Sequence, residues 1–432
     1  MANRMIVISL DAVGQRDMEY LRTLPNFRRL LGNAAVCEHV KSVYPTLTYP
    51  AHTSIVTGRY PAHHGIVNNI KLQPGRQKPD WFWHRKYVRS TTLYDEAAKK
   101  GMRCAALLWP VTAGSGIAYN LPEIWANRPW QRQLAVSFFN GSKGYQLDLQ
   151  SRFGYMRQGT RQPMLDNFVQ DSMIYTLSQY RPDLMLVHLT DVDTNRHISG
   201  VDNEGIRKAL RRHDRRIGEL LDKLEELGME EDTNLVVLGD HCQLDCERIV
   251  YPNYIFRRKG WITMKDGQLT DWRVWAQNCD GSCYIYMKDR EDRQLRGRVA
   301  ELLKNLAKDS RSGIEKIYTA GEAAKMGADP RCTFMLEAKT GYFFQGGMEK
   351  FTEPVKPLEF EENSSMQMAT HGYHPDKPGY ETIFIATGPD FRPGARCRQM
   401  CLVDEGPTLA KVLGVDLGEA DGHVVKELLS LR

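Results

Sequence analysis

The chain has 432 residues, 42% hydrophobic and 26% charged, the balance of a folded globular protein rather than a disordered or fibrous one. A net charge of +5 over that length, with no polybasic tract, excludes an electrostatic grip on polymeric nucleic acid or anionic lipid. No apolar run is long enough to span a bilayer, so no membrane partner is expected.

The N-terminal Met-Ala-Asn-Arg leads straight into an apolar run over residues 5–10. That run is too short for a secretory signal and no small-residue cleavage site follows it, so it reads as a first strand of a cytoplasmic protein. A helix is predicted around residues 20–31. A helix over 93–100 then precedes a strand over 103–108, and a helix over 168–179 precedes a strand over 184–189. The charged amphipathic helix over 203–227 precedes a strand over 234–238. A late strand over 383–386 is followed by a helix over 407–413. Alternating strands and helices, with strands of continuous Val, Ile and Leu, predict an α/β fold: a mostly parallel central sheet sandwiched by helices.

Residues 246–362 read differently. They carry many aromatic residues, a hairpin near 284–287, one good helix over 292–306 and few buried-strand runs. We read them as an inserted α+β cap on a core formed by residues 1–245 and 363–432. Residues 80–87, rich in Trp and Phe, are a candidate pocket wall, although such clusters also pack under ordinary loops. Nine cysteines are scattered through the chain. Cys242 and Cys246, Cys279 and Cys283, and Cys397 and Cys401 are each spaced by four, but no CxxC pair occurs, and free thiols are expected.

The carboxylates and imidazoles fall where strands end. Asp11 closes the first strand, Asp191 and Asp193 follow the strand over 184–189, and Asp240 and His241 follow the strand over 234–238. Parallel strands deliver their C-terminal ends to one edge of an open sheet, where ligands bind. Taken singly, an Asp at a strand end more often caps a helix. Three acidic clusters converging on one edge would repel each other unless a divalent cation joins them, and nearby histidines favour zinc or manganese over magnesium or calcium. Asp193 and His197 are four apart and share a face if their segment is helical. His371 lies in Thr370-His371-Gly372-Tyr373, ahead of the late strand.

A hydroxyl-rich segment runs Tyr44-Pro45-Thr46-Leu47-Thr48-Tyr49-Pro50-Ala51-His52, continuing to Gly58. A hydroxyl ahead of a short helix faces backbone N–H groups that favour an anion. Threonine is a weak nucleophile at neutral pH, and a metal that lowers its pKa makes it useful.

In order along nearly the whole chain, these segments resemble the nucleotide pyrophosphatase/phosphodiesterase family of the alkaline phosphatase superfamily. The resemblance starts at Ile6-Val7-Ile8-Ser9-Leu10-Asp11 and runs through residues 45–58, Tyr60-Pro61 and His64-Gly65-Ile66-Val67-Asn68-Asn69. It continues with Asp193 to His197, Gly239-Asp240-His241, His371-Gly372-Tyr373, Val403-Asp404 and Pro407-Thr408-Leu409. It implies an alkaline phosphatase-like fold and two zinc ions per chain, with manganese as the alternative. Asp11, Asp240 and His241 would hold one ion, and Asp193, His197 and His371 the other. Thr48 would sit beside both and attack phosphorus, forming a phosphothreonine. Asn69 would hydrogen-bond a phosphoryl oxygen. Tyr49 would flank the organic group, unless it simply packs the loop. The partner implied is a small phosphodiester, hydrolysed at a phosphodiester or pyrophosphate bond. Two divalent ions against three aspartates leave the site about +1, suited to an anionic phosphoryl group.

Two departures bear on the match. Cys242 stands where glycine usually follows Asp-His, as a packing residue or a soft neighbour of zinc. His374 and Asp191 lie close enough in sequence to compete with His371 and Asp193. Other activities on the same scaffold stay open: a phosphomonoesterase, a phosphonoacetate hydrolase or a phosphomutase. Sulfatase chemistry is disfavoured, because no Cys-x-Pro-x-Arg occurs. A non-catalytic metal-binding protein would lack part of the ligand set, whereas every position is filled here.

Overall fold

A computed structural model describes residues 4–356 and 367–430. The principal sheet contains β1 (Arg4–Leu10), β2 (Ala35–Lys41), β3 (Cys104–Leu107), β4 (Tyr119–Leu121), β5 (Leu184–Leu189) and β6 (Thr233–Leu238), with the late strand Thr382–Thr387. β1 lies between β5 and β6, parallel to both, and β3 and β4 extend the sheet beyond β5, again in parallel.

Burial of β1 on both faces explains its unbroken apolar sequence. Met5 and Val7 face a cluster that includes Ala51, Ile55 and Leu409, while Ile6 and Ile8 face one built on Phe27, Phe168 and Leu210. The sheet is therefore covered by helices on both sides, as the alternation of elements predicts. Register then fixes the site. Ser9 pairs with His188 of β5 and with Leu238 of β6, so all three chains leave the sheet together at one edge.

Two elements differ from expectation. The helix expected over 20–31 is two helices, Met18–Leu21 and Pro25–Leu31, because Pro25 has no N–H to continue the first and starts the second. The late strand runs antiparallel to both β6 and β2. A continuously apolar run reads alike in either direction, and the route of the preceding chain sets which one is used.

Residues 244–354 and 369–370 supply the strands of further sheets. Val274–Cys279, Ser282–Met287, Phe334–Ala338 and Ile314–Thr319 form an antiparallel four-stranded sheet that packs on the helix Arg293–Ala307. The hairpin expected near 284–287 spans both Val274–Cys279 and Ser282–Met287, and turns at Asp280 and Gly281. Leu244–Val250 pairs with Gly341–Phe344, Thr352–Pro354 and Ala369–Thr370. The hydrophobic cluster of this region also takes in Cys242, Tyr373 and Tyr380. The boundary expected at 362/363 lies outside the described residues. No helix among the described residues is long and apolar enough to cross a membrane.

Candidate active site

Asp11 leaves β1 with its N–H donated to the Leu189 carbonyl, 2.9 Å away, which holds it level with the end of β5. Asp240 leaves β6, and its Oδ1 accepts from Ala12 N–H at 3.2 Å. These bonds turn two carboxylates toward each other in a site almost closed to water. Burial, and then the neighbouring carboxylates, push Asp11 and Asp240 up to about 7. Asp11 Oδ1 and Asp240 Oδ2 are buried with no hydrogen-bond partner among the described residues.

Both orphaned oxygens face His241. Its Nε2 lies 3.5 Å from Asp11 Oδ1, 3.2 Å from Asp240 Oδ2 and 3.1 Å from Thr48 Oγ1. Thr48 opens the helix Thr48–Thr57, with Leu47 extended ahead of it, so its hydroxyl sits where the first helical N–H groups are unpaired. Asn69 buttresses this turn: its Oδ1 accepts from Tyr49 N–H at 2.9 Å, and its side chain lines the adjoining cavity.

The second set comes from β5 and from a distant loop. The helix Asp191–Ser199 carries Asp193 and His197 one turn apart, with His197 Nε2 3.3 Å from Asp193 Oδ1. The Ala369 carbonyl, 2.8 Å from His197 Nδ1, orients the ring so that Nε2 faces the site. Gln243 Nε2 donates to Asp193 Oδ1 at 2.5 Å. The His371 ring lies 5.1 Å from that of His197 and 4.3 Å from that of His241, and its buried Nδ1 is also orphaned. Gly372 is required behind it. Its φ is +83°, and a Cβ there would fall 1.7 Å from the Cys279 carbonyl oxygen. Burial works against the Asp193 carboxylate, but His197, His371 and His241 outweigh it and hold Asp193 below the usual range. Reciprocally, Asp193 draws His197 up to about 9 against the opposing effect of burial.

Two groups of donors thus each lie within 4.8 Å: Asp11, Asp240 and His241, and Asp193, His241 and His371. His241 belongs to both, and His197 adjoins the second through Asp193. Mixed oxygen and nitrogen donors, with orphaned buried atoms aimed at common points, fit divalent transition metals.

The structure separates the sequence neighbours. Asp191 turns away from the edge, bound by Arg212 at 2.6 Å and Arg216 at 3.2 Å. His374 packs against Tyr44 and lies 3.6 Å from Asp376. Cys242 lies against Gly14 and donates its S–H to the Glu381 carbonyl at 3.2 Å, so the thiol packs rather than entering either donor group. The other spaced cysteines also stay out of the donor groups.

A family model described as "Type I phosphodiesterase / nucleotide pyrophosphatase" matches residues 5–374, a span that contains every one of these donors. The chain belongs to the type I phosphodiesterase/nucleotide pyrophosphatase family. It is 24% identical over 417 residues to rat ectonucleotide pyrophosphatase/phosphodiesterase family member 3, covering 90% of this chain and 39% of that protein. Against the human family member 1 it is 27% identical over 254 residues, covering 54% of this chain and 23% of the other. The chain thus spans well under half the length of these curated relatives. The fold matches human ectonucleotide pyrophosphatase/phosphodiesterase 5 with a TM-score of 0.70 at 19% identity, covering 99% of this chain and all of that one. It also matches the murine protein, inactive and in complex with AMP, with a TM-score of 0.67 at 18% identity over 99% and 100% of the two chains.

Within this family fold, sequence reading misses several residues. His188, in the middle of a buried strand run, bridges Asp11 Oδ2 at 3.0 Å and Glu123 Oε2 at 2.8 Å. Burial opposes its charge, but these two carboxylates raise its pKa well above the ordinary imidazole value. An imidazole inside an all-apolar strand was the available signal. Glu123 follows β4 and carries none. Tyr49 does not line the cavity. It is fully buried, its hydroxyl donates to Glu123 Oε1 at 2.9 Å, and its ring packs edge-on against Trp81 at 5.1 Å. Trp81 and Trp125 form the wall instead, 4.7 Å apart, on a cavity of about 550 Å³ that reaches Thr48, Asn69, Asp193 and His371. Of the aromatic segment 80–87, Trp81 alone reaches this cavity; Trp83 packs behind it on Trp125.

Proposed function

We propose that this chain hydrolyses phosphodiester or pyrophosphate bonds in small, nucleotide-type substrates through a covalent phosphothreonine at Thr48. The observation that carries the reading is the place of Thr48 Oγ1: at a helix start, 3.1 Å from the one imidazole that belongs to both donor groups. Asp11, Asp240 and His241 would hold one zinc ion and Asp193, His197 and His371 another, with manganese as the alternative. Bound there, the ions supply charge that stabilises an alkoxide and the phosphoryl oxygens.

The chain's own groups do the rest. Thr48 Oγ1, its proton lost, forms the new bond to phosphorus while the bond to the leaving oxygen breaks. Water then cleaves the phosphothreonine and restores the hydroxyl. Asn69 is held by its Oδ1 on Tyr49 N–H, which leaves its amide N–H₂ for a phosphoryl oxygen. Trp81 and Trp125 offer a face for the organic substituent. Residues 246–362 would form an inserted subdomain beside the core of 1–245 and 363–432, which the separate sheets support. A cytoplasmic setting belongs to this proposal; the free state of the nine cysteines accords with it, and the names of the matched ectonucleotide relatives do not.

The alternative activities are separated by charge. A monoester dianion needs one more positive group than a diester. Residues 45–58 contain no Arg or Lys, and Arg59 is engaged with Glu419 at 2.9 Å. With both metal sites filled, kcat/KM for a p-nitrophenyl nucleotide diester should exceed that for p-nitrophenyl phosphate by about 3 kcal/mol, roughly a hundredfold. Equal or reversed efficiencies would move phosphomonoesterase chemistry to first place.

A further inference from the structure

Apart from its histidines, His188 included, the titratable lining of the cavity is mostly acidic. Asp11, Glu123, Asp193 and Asp280 all line it, and Arg157 is the one lysine or arginine among its described lining residues. Arg157 follows the short turn Gly154–Met156, in the chain that leads to the helix Met164–Gln179. Its guanidinium lies over the Phe168 ring, 5.1 Å from the centroid. That contact engages the cation but not its N–H donors, which lie in the guanidinium plane.

None of those donors meets an acceptor among the described residues. The neighbouring arginines differ. Arg152 is bound to Asp148 at 2.9 Å, and Arg196 to Asp17 at 2.6 Å. Arg157 is partly buried, and a guanidinium withdrawn from water without a partner is costly. Burial acts against the charge of Arg157. A cation that lines this cavity with no acceptor among the described residues, where the other basic groups are histidines, is open to an anion from outside the chain.

We infer that Arg157 binds a second anionic group of the substrate, a terminal phosphate or carboxylate carried by the organic substituent and distinct from the phosphoryl group at Thr48. The substrate class is therefore a phosphodiester with an additional oxyanion at the far end of one arm, with Trp81 and Trp125 along the wall between. This rests on the reading of Thr48 as the reaction centre. A planar fork of N–H donors matches either oxyanion with two parallel hydrogen bonds.

The test uses the metal-loaded full chain and a matched series of alkyl(methyl)phosphinates, monoanions like the diester in which both arms are joined to phosphorus by P–C bonds and no ester is left to cleave. Their tails end in hydroxyl, carboxylate or phosphonate. Calorimetry should give a Kd at least tenfold lower for one of the anionic tails than for the hydroxyl tail, and the better tail identifies the oxyanion. In Arg157→Gln that ratio should fall to within about twofold of unity, while Arg157→Lys keeps part of it. Thermal melts confirm that the variants are folded. No preference in the parent protein, or a preference kept by Arg157→Gln, overturns the inference. Because the ligands are not hydrolysed, the ratio is read independently of turnover. Failure to cleave p-nitrophenyl diesters would overturn the catalytic reading, while a lost binding ratio would still support Arg157 as an anion subsite.

Discussion

Thr48 is held from several sides. It begins a helix, its hydroxyl meets His241 Nε2, and its carbonyl is 2.8 Å from His52 Nδ1 one turn on. The helix start and the carbonyl contact fix the backbone whether or not the side chain carries oxygen. Thr48→Ala is therefore expected to keep its fold and metal content while losing turnover by about a thousandfold or more, because the attacking atom is gone. Thr48→Ser should retain partial activity and a trappable phosphoserine. Near-normal kcat in Thr48→Ala, measured at saturating diester, would assign the attack to water or to Thr46. Thr46 is a poor candidate on geometry, since its hydroxyl donates to the Tyr373 carbonyl and lies 2.9 Å from the Tyr380 hydroxyl.

The helix Asp191–Ser199 places two donors one turn apart, and it needs an anchor to hold them against the other strands. Arg196, on its buried side, supplies one. It reaches across to the Ala12 carbonyl and pairs with Asp17 at 2.6 Å, both side chains being nearly fully buried. The loop that follows β1 is thereby tied to the helix that follows β5. Arg196→Met would leave the Asp17 carboxylate buried opposite an apolar chain, a loss of about 3 kcal/mol or more. Urea unfolding should show that loss as a lower midpoint, and metal affinity should fall with it. An unchanged midpoint would mean that the anchor lies elsewhere, for example in the Asp191–Arg212 pair.

At the scale of the whole molecule, the site is assembled by the sheet. Its donors come from chain segments near residues 11, 193, 240 and 371, which meet only in the folded state. An ion that binds them binds the native form alone and stabilises it by mass action. Elemental analysis after expression with zinc is expected to give two ions per chain. Exhaustive chelation should abolish diester hydrolysis and lower Tm by several degrees, and zinc should restore both. Trace metal content, or activity and Tm indifferent to chelation, would refute the two-ion site.

Much of this was legible without coordinates. The apolar runs of β1, β5 and β6 announced a sheet buried on both faces, and the acids that close them announced its active edge. Spacing set Asp193 and His197 on one helical face, and motif order pointed to Thr48, Asn69 and His371. The strands, their closing acids and the Asp193–His197 spacing rest on local periodicity, which sequence carries directly, whereas Thr48, Asn69 and His371 rest on the family resemblance. Other features needed the tertiary structure, because they join residues that no local pattern relates. The direction of the strand Thr382–Thr387 is one, since an apolar run has no polarity of its own. Motif spacing already favoured Asp193 over Asp191, but the reason Asp191 turns away, its pairing with Arg212 and Arg216, is tertiary. The replacement of Tyr49 by Trp81 and Trp125 as the cavity wall followed from the grip of Glu123 on the Tyr49 hydroxyl. That Arg157 meets no acceptor among the described residues is likewise a matter of packing in three dimensions, which no local pattern carries.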